Sequence, residues 1–129
     1  MKTSTKTVHL NAAPDHVFGY LSKVENLPKW ATNYCTEVKR EGADYKLLTQ
    51  NGEMFMRIDS DATTGVVDMV GGPHKDQMAP WPARVAALPD GSSLFVFTCL
   101  QMPGVSDEEF AQQCTSLDEE FEGLQKLFA

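Results

Sequence analysis

Three polar side chains stand among apolar neighbours and could take part in acid–base chemistry. Asp68 lies within the segment TGVVDMV, His74 lies in a stretch rich in proline and glycine, and Tyr34 precedes a run of strand-like segments. A carboxyl group buried among valines favours its protonated form, and histidine changes charge near neutral pH. Asp68, His74 and Tyr34 are therefore the candidate catalytic residues. A shared reaction requires that at least two of them meet within hydrogen-bond reach of one small molecule.

Two of these residues also have a simpler structural interpretation. On a strand buried on one side only, Asp68 would face solvent and pair with Arg57 or Arg84 on a neighbouring strand. His74 would be an ordinary solvated loop residue. The alternating pattern around Asp68 favours the structural role, and the sequence leaves the catalytic one open.

The sequence offers no signal for other site chemistries. Its three cysteines, Cys35, Cys99 and Cys114, have no C-x-x-C spacing, which indicates neither a disulfide framework nor a zinc site. We interpret Cys99 and Cys114 as small buried apolar residues, and free thiols fit a reducing, cytoplasmic compartment. The three histidines have no metal-binding spacing, and there is no serine-hydrolase, phosphate-loop or dinucleotide motif. No metal and no cofactor is predicted.

The distribution of charge argues against two classes of partner. The formal net charge is -7, and residues 106–129 contribute 1 - 7 = -6 of it, from one lysine and seven acidic residues. Nucleic-acid phosphates and anionic membrane surfaces both require clustered lysine and arginine. No segment approaches the roughly 18 apolar residues of a membrane span, and the N-terminus lacks a leader pattern. Neither nucleic acid nor membrane insertion is predicted.

Among the elements that must position the candidate residues, a helix at the C-terminal end has the clearest sequence signal. Ser106 and Glu109 have the spacing of a capping box, and acidic residues fill the first turn after Ser106. Apolar residues then recur at steps of four and three, which places them on one face of a helix. They are Phe110, Cys114, Leu117, Phe121, Leu124 and Phe128. The pattern predicts a helix over residues 107–128 with an acidic outer face.

The remaining segments predict a sheet and two short helices. Residues 3–11 alternate as a strand, Pro14 opens a short helix, and a second short helix follows around residues 25–33. Turn signals divide residues 34–102 into six strand-length segments, and Asn51-Gly52 is typical of a type I′ hairpin turn. Residues 71–82 form the longest irregular stretch, which is either a functional loop or a stiff connection.

The segment APDHVFGYLSKVENLPKWA, residues 13–31, resembles the opening of the START-like, Bet v 1-like (SRPBCC) superfamily, which includes polyketide cyclases and lipid-transfer domains. The predicted element order agrees with that superfamily over residues 1–129. The resemblance implies a single α+β helix-grip domain: a strand, two short helices, a six-stranded antiparallel meander and a long C-terminal helix packed in the curved sheet. It also implies a cavity between sheet and helix, which different members use to bind lipids, hormones, quinones or polyketides.

The expected function is therefore binding of a small hydrophobic ligand, aromatic, polyketide-like or short acyl, in that cavity. Its predicted wall consists of Trp30, Tyr34, Met54, Met56, Phe97, Trp81, Phe110 and Cys114. One alternative is a cyclase or dehydratase that uses acid–base residues in the same cavity. A second is a homodimeric interaction module with a filled cavity, because residues 94–97, LFVF, are apolar on both faces of a strand.

Overall fold

The computed structural model describes residues 1–129 as a curved antiparallel sheet with three α-helices. The helices are α1 (Pro14–Leu21), α2 (Leu27–Trp30), which follows a 3₁₀ turn at Val24–Asn26, and α3 (Asp107–Leu127). The strands are β1 (Thr3–Leu10), β2 (Cys35–Glu41), β3 (Asp44–Thr49), β4 (Gly52–Asp61), β5 (Val66–Gly72), β6 (Ala79–Trp81), β7 (Ala83–Ala87) and β8 (Ser93–Leu100). The predicted α+β helix-grip order is confirmed.

The sheet has the strand order β1-β8-β7-β5-β4-β3-β2, with β6 also paired to β5. Strands β6 and β7 are separated by Pro82 alone, because proline has no N–H to continue the ladder. The six segments predicted between residues 34 and 102 therefore become seven strands. Within the stretch 71–82, residues 71–72 and 79–81 lie in strands, and residues 73–78 form a connection outside them.

The hairpin between β3 and β4 does not have the predicted type I′ turn. That turn requires positive φ at both central residues, whereas Gly52 has φ 96° and no non-glycine residue, Asn51 included, has positive φ. Gly52 is the first residue of β4 and pairs with Thr49. The hairpin thus places a single glycine in the left-handed region, as in turns that end in a glycine bulge.

Helix α3 packs its apolar face into the inner face of the sheet. Of its six predicted core residues, five are buried, and Cys114 is half-buried. The Ser106 side chain accepts a hydrogen bond from the Glu109 amide at 3.1 Å, which confirms the predicted N-cap. None of the three helices is both long and apolar enough to cross a membrane.

Aromatic side chains fill the space between the middle of the sheet and α3, which we call the centre of the grip. Phe95 and Phe97 of β8 contact Phe121 of α3, and Trp30 of α2 packs edge-on against Phe95. Neighbouring ring centroids in this cluster lie between 5.4 and 6.4 Å apart, the spacing of well-packed aromatic pairs. Open space is consequently found at the edges of the grip.

Candidate functional site

An open cleft of about 560 Å³ lies where β3 begins and its neighbour β4 extends beyond it. We call it the sheet cleft. Its apolar wall combines residues of β3, β4, the β2–β3 turn, the 3₁₀ turn and the β5–β6 connection: Val24, Ala43, Tyr45, Phe55, Met56, Ile58 and Met78. Its polar rim consists of Ser22, Lys23, Glu25, Asp44, Arg57 and Lys75.

The strand register explains why the sheet cleft has an apolar wall. Tyr45 pairs with Met56, and alternation along β4 places Ile58 on the same face as Met56. Gly71 on β5 lies opposite Met56, and a Cβ at Gly71 would lie 2.9 Å from the Met56 Cε. Glycine at this position therefore leaves room for the flexible methionine that forms part of the wall.

Three of the five charged residues at the rim of the sheet cleft form ion pairs. Lys75 forms an ion pair with Asp44, and Arg57 forms one with Asp59 at 3.0 Å. The Lys75 ammonium also lies 5.8 Å from the ring centroid of Phe55. Because these pairs leave little unbalanced charge, the cleft suits a mainly apolar molecule.

A second open cleft, of about 620 Å³, separates α3 from α1 and α2. We call it the helix cleft. It is lined by Tyr20, Lys29, Trp30, Thr32, Glu119, Glu120, Gly123, Lys126 and Leu127. Five of these nine residues are polar or charged.

Glu120 in the helix cleft is the most unusual ionisable group of the chain, because it is only 6% exposed. Its Oε2 accepts hydrogen bonds from the backbone amides of Asn33 at 3.0 Å and Tyr34 at 3.2 Å. Burial raises the Glu120 pKa to about 7; the two amide bonds oppose this shift, and the nearby charge of Glu119 adds to it. The carboxyl group can therefore exchange a proton near neutral pH.

Tyr34 and Cys35 beside Glu120, and Cys99 in β8, are poor nucleophiles and poor acids. Burial, with smaller effects from Cys35 and Glu120, raises the pKa of Tyr34 to about 12. Burial also raises the pKa of Cys35 to about 12, assisted by the charge of Glu120. Cys99 in β8 has its pKa raised to about 12, first by burial and then by Cys114. These thiols stay protonated at neutral pH, so they supply no thiolate nucleophile.

The three predicted catalytic residues occupy different parts of the fold. Asp68 is half-buried on the outer face of β5 and accepts a hydrogen bond from the Ala83 amide at 3.0 Å, beside the break at Pro82. His74 is exposed in the β5–β6 connection, and the ring of half-buried Tyr34 packs near Trp81, with 6.5 Å between centroids. None of the three lines either cleft.

The predicted ion pair of Asp68 with Arg57 or Arg84 is wrong. Arg57 pairs with Asp59 on its own strand, and Arg84 donates to the Thr64 carbonyl oxygen at 3.0 Å. The interruption at Pro82 leaves the Ala83 amide without a ladder partner on β5, and Asp68 accepts its hydrogen bond instead. This role is structural.

The predicted ligand-binding residues divide between the clefts and the core. Met56 lines the sheet cleft and Trp30 lines the helix cleft. The other predicted residues line neither: Phe97 and Phe110 are buried in the core, while Tyr34, Met54, Trp81 and Cys114 are half-buried. Trp81 packs against Phe97 at 5.9 Å between centroids, which joins it to the aromatic core.

Sequence reasoning missed Glu120, which it assigned to the acidic outer face of α3. A signal was present, because position 120 follows Leu117 by three residues and precedes Leu124 by four. Both steps belong to the periodicity of the buried face. An acidic residue at that spacing marks a carboxyl group at the border of the core.

No protein-family model matches the chain, and no curated protein matches it by sequence. Solved structures do match in fold. The protein XoxI from Bacillus cereus has a TM-score of 0.76 at 16% identity, over 99% of this chain and 96% of that one. A START superfamily protein from Mycobacterium smegmatis has a TM-score of 0.61 at 16% identity, over 98% of this chain and 99% of the other.

The Zhui aromatase/cyclase from Streptomyces sp. R1128 is also similar, with a TM-score of 0.65 at 15% identity over 97% of this chain and 89% of the cyclase. These identities are low, so the likeness concerns the fold, and fold alone does not fix a ligand or a reaction. The chain has the helix-grip fold of the START-like, Bet v 1-like superfamily, as residues 13–31 predicted.

Proposed function

We propose that the protein binds a small hydrophobic molecule, aromatic or short acyl, in the sheet cleft. The observation that supports this most directly is the apolar wall formed by Val24, Tyr45, Met56 and Ile58 around an open space of about 560 Å³. That volume falls within the range of small-molecule sites, about 300–1,000 Å³. The fold similarity to a START superfamily protein and to an aromatase/cyclase is consistent with the proposal.

The position differs from the one expected from the sequence. A ligand between the centre of the sheet and α3 would have to displace the packed rings of Phe95, Phe97 and Phe121. The sheet cleft requires no such displacement, because it already opens to solvent. Met56 belongs to both the predicted wall and this cleft, and its flexible thioether can adapt to ligands of different shape.

Binding is tested with two neutral probes, 2-naphthol and 1-octanol, in amide-resolved NMR titrations. Ala43 is exposed at the mouth of the cleft, so A43W introduces a large ring there without disturbing the core. The matched control is A62W, since Ala62 is also exposed, lies in the β4–β5 turn and does not line the cleft. We expect saturable binding by the wild type and A62W, and at least about tenfold weaker binding by A43W.

Equal affinities in A43W and A62W, or no saturation with either probe, would contradict the proposal. Native mass spectrometry of the same samples reports the subunit number and any adduct retained through purification. A stable dimer without an adduct would favour the alternative of an interaction module. Conversion of a probe during the titration would favour the alternative of an enzyme.

A further inference from the structure

We propose that the helix cleft is a second ligand site, separate from the sheet cleft, which binds a carboxylate carried on a small apolar or aromatic group. Tyr20, Trp30 and Leu127 supply apolar surface in this cleft, and Lys29 and Lys126 are exposed at its edge. The two clefts share no lining residue. The inference therefore stands independently of the function proposed above.

The first argument is a buried hydrogen-bond donor without an acceptor, on a residue that lines this cleft. Trp30 is only 5% exposed, and its indole Nε1 has no hydrogen-bond partner in the protein. A buried donor without an acceptor is costly, at about 1–3 kcal/mol. An oxygen of a bound carboxylate within reach of Nε1 would remove that cost.

The second argument is the direction in which Glu120 can donate. Both backbone amides bind Oε2, and no protein group donates to Oε1. When Glu120 is protonated, its proton therefore belongs on Oε1, where it makes the carboxyl group a donor toward a ligand. A ligand carboxylate would accept this hydrogen bond, and the two carboxyl groups would share one proton, as close carboxylate pairs do.

The third argument is the glycine in the wall. Gly123 lies within α3, where glycine costs roughly 0.5–1 kcal/mol relative to alanine. No atom lies within 4 Å of a Cβ placed at Gly123, so neither packing nor backbone conformation requires glycine there. The missing side chain leaves the cleft open on the α3 side.

The surrounding charges set the expected pH dependence. Lys29 and Lys126 attract an anion, Glu119 opposes it, and the Glu119 carboxylate is partly engaged by the Asn33 side-chain amide at 3.0 Å. Tyr20, Tyr34 and Cys35 are uncharged at neutral pH, since burial raises the pKa of each. Glu120 is then the group whose protonation controls carboxylate binding, which should tighten as the pH falls through about 7.

The test uses 3-phenylpropanoate, with 3-phenylpropanamide and 3-phenylpropylamine as the neutral and cationic comparisons. Dissociation constants are measured by NMR titration at pH 6 and pH 8. We expect saturable binding of the propanoate, about tenfold weaker at pH 8 than at pH 6, because Glu120 loses its proton over that interval. The amide and the amine should bind at least about tenfold more weakly at pH 6.

Two variants locate the site and its proton. G123L places a side chain in the cleft and should abolish propanoate binding, whereas G19L, a matched change in α1 outside the cleft, should leave it unchanged. E120Q keeps an oxygen for both amides and a donor for the ligand but cannot titrate, so it should bind with no change between pH 6 and pH 8. Wild-type affinity in G123L, preference for the amine, or unaltered pH dependence in E120Q would each overturn the proposal.

Discussion

Replacing Glu120 with glutamine should remove a large pH-dependent contribution to stability. Folding raises the pKa of this carboxyl group from 4.5 to about 7, so the folded state holds its proton more tightly than the unfolded state. The resulting stabilisation is complete below pH 4.5 and is lost as the pH rises to about 7. Glutamine does not titrate and therefore makes a constant contribution.

The size of the effect follows from the two pKa values. Their difference is 7 - 4.5 = 2.5, and at about 1.4 kcal/mol per pKa unit this corresponds to about 3 kcal/mol. Relative to E120Q, the wild type should lose about 3 kcal/mol of unfolding free energy between pH 4.5 and pH 8. Most of that loss should fall between pH 5 and pH 7.

Urea unfolding at several pH values, followed by the fluorescence of Trp30 and Trp81, measures this difference. Subtracting the unfolding free energy of E120Q from that of the wild type at each pH cancels the contribution of every group that titrates alike in both proteins. E122Q is the matched control, because Glu122 is exposed on the same helix. A difference between wild type and E120Q that is constant from pH 4.5 to pH 8 would refute the assigned pKa and the reasoning from burial.

Three further predictions concern the sheet and the thiols. G65A should cost at least about 3 kcal/mol of stability, because Gly65 has φ 81° and a Cβ there would overlap a backbone oxygen of β7. G91A is the control: Gly91 has φ 87° but lies in open space, so this change should cost about 1–2 kcal/mol. Equal losses of stability in urea unfolding would contradict this account. D68A should cost about 1–3 kcal/mol of stability, because it leaves the first amide of β7 without a hydrogen-bond acceptor, and D68N should restore most of that stability. Neither variant should alter 2-naphthol binding, and weaker binding by D68N would instead indicate a functional carboxylate. Half-buried Cys114 should react with Ellman's reagent first, and Cys35 and Cys99 should react only when the protein unfolds. Rapid labelling of Cys35 or Cys99 in the native protein would disprove their burial.

The fold was predictable because its strongest signals are local or follow a simple period. The apolar stripe of α3 and the Ser106 cap depend on residues within a few positions of one another, so the sequence alone locates that helix. Residues 13–31 combine a helix-opening proline, an apolar stripe and a Leu-Pro-x-Trp run, and these indicated the helix-grip fold. The division of one predicted strand into β6 and β7 at Pro82, and the backbone conformation of Asn51, were not predicted. Both depend on how each strand pairs with its neighbours in the sheet.

The sequence by itself determined the order of elements, the buried face of α3 and the excess of negative charge on its exposed face. Tertiary structure decided which side chains meet: it brought Glu120 of α3 to the amides of Asn33 and Tyr34, 86 or more residues away along the chain. It also filled the centre of the grip with aromatic rings and left the open space at the edges. Periodicity shows that a residue faces the core, but contacts between distant segments decide whether it meets another side chain, a backbone amide or an open cleft.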